Sequence, residues 1–245
     1  FGKEEIENAL KASAEFWLIA GPYTSEFESR FAKKVGMRHS FMVNSGSSAN
    51  LLALTSLASP RMSDRKLSSG DEVITVAAGF PTTVNPILQF GAIPVFVDID
   101  IKTHNIDISK LEDAVSNKTK AVVLAHSLGN PFDLDAVLGF CKKYNLWLIE
   151  DNCDALGSKY NGKLTGTFGD IGTLSFYPAH HITTGEGGMV VFNDEALLEK
   201  GKMMRSHGFS PNNRYWHEIW GTNMRITNLQ AAIGCAQMER IDELV

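Results

Sequence analysis

Short apolar runs rich in β-branched residues alternate with longer amphipathic segments along most of the chain. Residues 40–43, 72–76, 94–97, 121–125 and 146–149 read as strands, with two more near 172–176 and 189–192. Segments 48–57, 133–144 and 194–204 carry apolar residues at helical spacing. Ala121-Val122-Val123-Leu124-Ala125 is apolar on both faces, which suits a parallel sheet covered by helices on each side. The pattern predicts an α/β protein without a repeat of fixed period or an internal linker. One domain over residues 1–245 accounts for all of it. Residues 59–70, polar and broken by Pro60, Ser68, Ser69 and Gly70, read as a surface loop. The chain opens on Phe1, and a helical pattern at 229–238 meets no Gly or Pro stop signal, so a fragment of a longer protein is expected.

Composition narrows the classes of function. The 245 residues are 44% hydrophobic and 21% charged, as in globular proteins. Lys and Arg number 23 against 28 Asp and Glu, a net charge of −5, and no basic stripe invites nucleic acid or an anionic membrane surface. No apolar run approaches the roughly 20 residues that span a bilayer. Cys141, Cys153 and Cys235 have neither metal nor disulfide spacing, so a reducing cytoplasm is the expected home.

In α/β sheets ligands gather where strands end and helices begin. Asn44-Ser45-Gly46-Ser47-Ser48-Ala49-Asn50 follows a strand and opens a helix; free N–H groups and small side chains there suit a phosphate, although a serine N-cap alone reads the same way. Glu150-Asp151-Asn152-Cys153-Asp154 closes a buried strand, where carboxylates need a cation, a proton donor or a metal. Phe80, in Ala78-Gly79-Phe80-Pro81-Thr82-Thr83, stands at a helix start, where it either stacks on a flat ring or packs in the core. The fourth junction is Ser175-Phe176-Tyr177-Pro178-Ala179-His180-His181, leading into Gly185-Glu186-Gly187-Gly188. Neighbouring histidines of an extended chain point to opposite sides, and no third ligand stands at a helpful spacing, so no metal site is expected.

Taken in order, these segments resemble the DegT-like sugar aminotransferases, pyridoxal-phosphate enzymes of the aspartate-aminotransferase fold. Gly21-Pro22-Tyr23-Thr24, Gly129-Asn130-Pro131-Phe132-Asp133 and Asn223-Met224-Arg225-Ile226-Thr227 extend the resemblance over nearly the whole chain. It implies a fold-type-I large domain, with a mostly parallel mixed sheet flanked by helices and without the family's C-terminal small domain. In that family a lysine ahead of the Gly-Glu-Gly-Gly turn binds the cofactor covalently. The matching residue here is His180, and no lysine occurs between Lys163 and Lys200. An imidazole forms no Schiff base, so the cofactor would be held non-covalently.

The string Ser175–His181, with Asp151-Asn152-Cys153-Asp154, is similar to the branch that removes the C3 hydroxyl of nucleotide-linked 4-keto-6-deoxyhexoses on the way to 3,6-dideoxysugars. Those enzymes use pyridoxamine phosphate: its amine condenses with the C4 ketone, a base takes a proton from the cofactor's C4′ carbon, and the C3 hydroxyl leaves. A histidine exchanges protons near neutral pH without a covalent bond to the cofactor. The resemblance implies His180 as acid/base, Asp151 on the pyridine nitrogen, Asp154 near the ring hydroxyl and Phe80 over the ring. It implies Ser47, Ser48 and Ser175 around the phosphate, with Asn223 supplied by the second subunit of a homodimer that shares its active sites. Relatives acting on CDP-sugars carry an iron–sulfur cluster on four cysteines after the glycine turn; residues 189–225 here contain no cysteine, so none is expected there and the similarity shifts to the cluster-free dehydratases of GDP-sugars. Two other readings stay open: a nucleotide-sugar aminotransferase using a distant lysine, and a non-catalytic member that binds cofactor.

Overall fold

The computed structural model describes residues 2–36, 39–58, 65–210 and 212–245. Its helices are α1 (Lys3–Glu15), α2 (Pro22–Val35), α3 (Gly46–Ser56), α4 (Pro81–Phe90), α5 (Leu111–Ala114), α6 (Leu134–Tyr144), α7 (Glu195–Arg205), α8 (Asn228–Glu239) and α9 (Ile241–Leu244). Its strands are β1 (His39–Val43), β2 (Glu72–Val76), β3 (Ile93–Val97), β4 (Thr119–Ala125), β5 (Trp147–Asp151), β6 (Lys159–Tyr160), β7 (Lys163–Leu164), β8 (Ile171–Ser175), β9 (Gly188–Phe192), β10 (Phe209–Ser210) and β11 (Asn213–His217). All seven expected strands are present, and β2 has the bounds its apolar run predicts. Of the loop expected at 59–70, residues 59–64 lie outside the described residues; the remainder is irregular and anchored by the buried Leu67.

Two compact units divide the chain: Asn50–Thr173, and Phe1–Ala49 with Leu174–Val245. In the first, strands run in the order β8-β5-β4-β2-β3, every pair parallel. Helix α4 packs on β3 and β4, and α6 on β5. The apolar residues of both layers meet in one core that includes Ile74, Val122, Leu124, Phe132, Val137 and Leu148. Burial on both faces explains why β4 and β5 lack polar alternation, whereas β3, at the edge, leaves Ile93 and Phe96 exposed. Helix α6 starts where the Asp133 carboxylate accepts the Ala136 N–H and stops at Asn145 in the left-handed region.

In the second unit β1 pairs antiparallel with β9, in register from His39↔Phe192 to Val43↔Gly188. Helix α7 covers both strands, and α1 and α2 pack on α8. Phe27, Phe31 and Phe176, all fully buried, form an aromatic cluster with centroids 5.2–5.9 Å apart. Helix α8 opens on a capping box in which Thr227 and Gln230 satisfy one another's N–H groups. The strand pairing of the two units is mostly parallel and mixed, with helices against the strands, as the fold class requires. Among the described residues no helix is long and apolar enough to cross a membrane.

Candidate active site

The serine-rich turn after β1 becomes the tip of α3. Ser45 Oγ accepts the Ser48 N–H at 3.1 Å and donates to Ser48 Oγ at 3.1 Å, while Ser45 O accepts the Ala49 N–H. The Gly46 and Ser47 N–H groups meet no acceptor among the described residues, and the helix dipole adds partial positive charge there. Ser175, ending β8, lies against this tip: a Cβ placed on Gly46 would stand 2.6 Å from the Ser175 Cβ. Ser175 Oγ accepts the Tyr177 N–H, which leaves its own proton to donate. Ser47, Ser48 and Ser175 thus share one corner that offers hydrogen-bond donors to an anion.

At the end of β5, Asp151 is 5% exposed. Its Oδ2 accepts from Thr83 Oγ1 at 2.6 Å and from Asn50 Nδ2 at 2.9 Å, and its Oδ1 accepts the Cys153 N–H at 3.2 Å. Thr173 Oγ1 donates to Asn50 Oδ1 at 2.5 Å and so fixes which end of that amide faces the carboxylate. A carboxylate has about four acceptor positions, so one remains on Oδ1 for a further donor. Desolvation, together with the Asp151 charge and hydrogen bond, holds the Cys153 thiol well above its ordinary pKa. Phe80 is the N-cap of α4, 69% exposed, and its carbonyl accepts the Thr83 N–H, so the exposed ring and the hydroxyl on Asp151 belong to one turn. Asp154 is exposed in the turn that follows β5.

Glu150, the neighbour of Asp151, faces the other side of the strand and is fully buried. It accepts the N–H groups of Gly166, Phe168 and Gly169 at 2.6–2.8 Å and bonds His126 Nε2 at 2.9 Å. His126 in turn stacks on Phe132, with centroids 4.3 Å apart, and its N–H donates to the Asp151 carbonyl. Asn50, Thr83 and His126 are the residues that reading the sequence missed. Asn50 and Thr83 lie in or next to the junctions quoted above, but nothing in the string shows that their side chains converge on Asp151.

The histidine pair lies in a loop that turns. Residues 177–182 turn, and the His180 N–H bonds the Tyr177 carbonyl at 2.9 Å. Pro178 in Tyr177-Pro178-Ala179 favours such a turn. His180 is half-buried and His181 exposed. Asn223 is exposed, in an isolated antiparallel bridge with Ser206. Ser47, Ser48, Ser175, His180 and Asn223 belong to one unit, and Phe80, Asp151 and Asp154 to the other.

A profile of the DegT/DnrJ/EryC1/StrS aminotransferase family matches residues 1–245. A lipopolysaccharide biosynthesis protein, RfbH of Salmonella typhimurium, is 48% identical over 100% of this chain and 62% of its own length. The dTDP-4-dehydro-2,6-dideoxy-D-glucose 3-dehydratase of Saccharopolyspora spinosa is 44% identical over 95% of this chain and 56% of its own. A GDP-perosamine synthase of Escherichia coli O157:H7 is also similar, 40% identical over 99% of this chain and 64% of its own. The chain therefore spans about six tenths of the length of these relatives. Among solved structures, the E. coli GDP-4-keto-6-deoxy-D-mannose-3-dehydratase with bound hydrated PLP superposes with a TM-score of 0.93 at 34% identity, covering 99% of this chain and 66% of that one.

Proposed function

Because the chain belongs to the DegT/DnrJ/EryC1/StrS aminotransferase family, we propose that it is the cofactor-binding large domain of a pyridoxamine-phosphate-dependent enzyme that removes the C3 hydroxyl of a nucleotide-linked 4-keto-6-deoxyhexose. The observation that carries this reading is the string Ser175–His181, with no lysine between Lys163 and Lys200; the resemblance sets its His180 where the family's aminotransferases have lysine.

The residues present suit the cofactor. The corner of Gly46, Ser47, Ser48 and Ser175 supplies main-chain and hydroxyl donors for its phosphate, and the near contact of Gly46 with Ser175 keeps it free of side-chain bulk. Asp151 keeps one acceptor position for a protonated ring nitrogen and is held by Asn50 and Thr83. Bound pyridoxamine phosphate would supply the amine that condenses with the sugar ketone and the electron sink that lets the hydroxyl depart. Asp151 stabilises positive charge on the ring nitrogen, with its carboxylate held in place by three donors. His180 moves the proton at the cofactor's C4′ carbon and, lacking a primary amine, cannot bond covalently to it. Phe80 covers the ring face, Asp154 stands by the ring hydroxyl, and Asn223 donates to the phosphate of a second copy in a homodimer.

The test uses the full-length protein, incubated with pyridoxal phosphate, reduced with borohydride and weighed intact. Bound cofactor without a covalent adduct is the expected result, followed by loss of the C3 hydroxyl from a GDP- or dTDP-linked 4-keto-6-deoxyhexose. A phosphopyridoxyl adduct on a specific lysine, with glutamate-dependent formation of an amino sugar, would replace this reading with that of an aminotransferase, the activity of the similar GDP-perosamine synthases.

A further inference from the structure

Asn223 closes a small polar relay. Its Oδ1 accepts both the Arg225 N–H at 3.3 Å and the Arg225 Nε–H at 3.0 Å, and Arg225 Nη2 lies 3.2 Å from His207 Nε2. Arginine only donates, so the chemistry fixes both partners. The atom of Asn223 that faces Arg225 is the oxygen, and His207 Nε2 is an acceptor. The Asn223 Nδ2 group, with two N–H donors and no acceptor among the described residues, is left at the exposed end of the amide.

The backbone holds this arrangement closely. Thr222 N–H bonds Met204 O at 2.9 Å, Met224 N–H bonds Arg205 O at 3.0 Å, and His207 N–H bonds Thr222 O at 3.0 Å. His207 stands at φ 61 in the left-handed region, and Gly208 follows at φ 74. A Cβ on Gly208 would lie 1.9 Å from Ile219 O, so only glycine completes the turn that presents the imidazole. His217 Nδ1 donates to the His207 carbonyl at 2.7 Å and braces the same turn. A non-glycine residue in that backbone region is uncommon, and such positions gather where geometry serves a site.

We propose that His207 and Arg225 are positioning residues that turn the Asn223 amide donor-outward toward an acceptor-only anion, the cofactor phosphate. The inference rests on the proposed function, which gives Asn223 that ligand. Without the Arg225 clamp the amide would flip freely, and half its orientations would aim a carbonyl oxygen at the phosphate. The imidazole keeps the guanidinium turned toward Asn223.

Binding of pyridoxamine phosphate and of phosphate-free pyridoxamine to the full-length protein, followed by fluorescence, isolates the phosphate contribution as a ratio of dissociation constants. Asn223→Asp keeps an oxygen for Arg225 and removes both donors; it should lower that ratio about 10-fold or more, the worth of one charge-assisted hydrogen bond. Arg225→Leu, Arg225→Lys and His207→Leu should each lower it several-fold while leaving pyridoxamine binding unchanged, and His207→Gln, which restores an acceptor at similar reach, should recover it. If Asn223→Asp lowers the ratio but Arg225→Lys and His207→Leu match the wild type, the positioning role is overturned and Arg225 serves at most as a charge. If Asn223→Asp leaves the ratio unchanged, the phosphate role of Asn223 fails, and this proposal with it.

Discussion

The two faces of β5 hold neighbouring carboxylates that are buried in different ways. Glu150 has every acceptor position filled, three of its four partners being backbone N–H groups from one short segment. Asp151 is held by two side-chain donors and one N–H, with a position to spare. A buried charge must be compensated in either case. The saturated carboxylate can only hold structure together, whereas the unsaturated one, kept in place by three donors, has room for a ligand. The number of open acceptor positions, more than burial, separates the two.

That contrast is most exposed to substitution at Asp151. Asp151→Asn is nearly isosteric and should lower turnover of the full-length enzyme by about 10²–10³-fold, the usual loss when one preorganised electrostatic partner is removed, with thermal stability little changed. Glu150→Gln should do the reverse: with its oxygen kept on the Phe168 and Gly169 N–H groups, its NH2 would face the Gly166 N–H and His126 Nε2, which should cost about 3 kcal/mol in a denaturant titration. If Glu150→Gln spared stability and abolished turnover, the distinction between the faces would collapse. Gly46→Ala, forcing a methyl to within 2.6 Å of the Ser175 Cβ, should cost about 1–3 kcal/mol and weaken cofactor binding.

The smallest expected effect concerns a third buried carboxylate, Glu5 of α1. Burial pushes its pKa up, but the Gly2 N–H, Gln237 and Arg240 outweigh that and bring it from 4.5 down to about 2. A depressed folded-state pKa gives stability that is fully present above the unfolded value of 4.5 and lost as pH falls through about 2. Protection of the α1 amides, taken relative to their intrinsic exchange rates, should therefore fall between pH 4.5 and 2, and a Glu5→Gln variant should show a flatter pH dependence of that protection. Equal slopes in the two proteins would show that Glu5 does not couple α1 to pH.

Much of the fold is legible in the sequence because its signals are local. The run Glu72–Val76 follows the polar turn Ser68-Ser69-Gly70-Asp71 and stops ahead of Gly79, and β4 and β5 announce a doubly covered sheet by having no polar face. The candidate site is legible as separate strings, because a glycine- and serine-rich helix start and a carboxylate at a strand end are visible in one dimension. The partners of those strings are not. Asn50 reaches Asp151 across 101 residues and Thr83 across 68, so only the parallel pairing of β5 with its neighbours brings them together. Three of the four donors to Glu150 are main-chain groups, which leave no mark in the sequence.

The alternation of Glu150 and Asp151 also acts as an error check during folding. A slip of β5 by one residue would carry each carboxylate to the opposite face. The longer side chain would then meet Asn50 and Thr83, the shorter one would fall short of the 166–169 segment, and two charges would be buried without their donors. Misregistered chains are thereby discouraged at β5, so one alignment of the sheet and the open acceptor position at Asp151 depend on the same pair of residues.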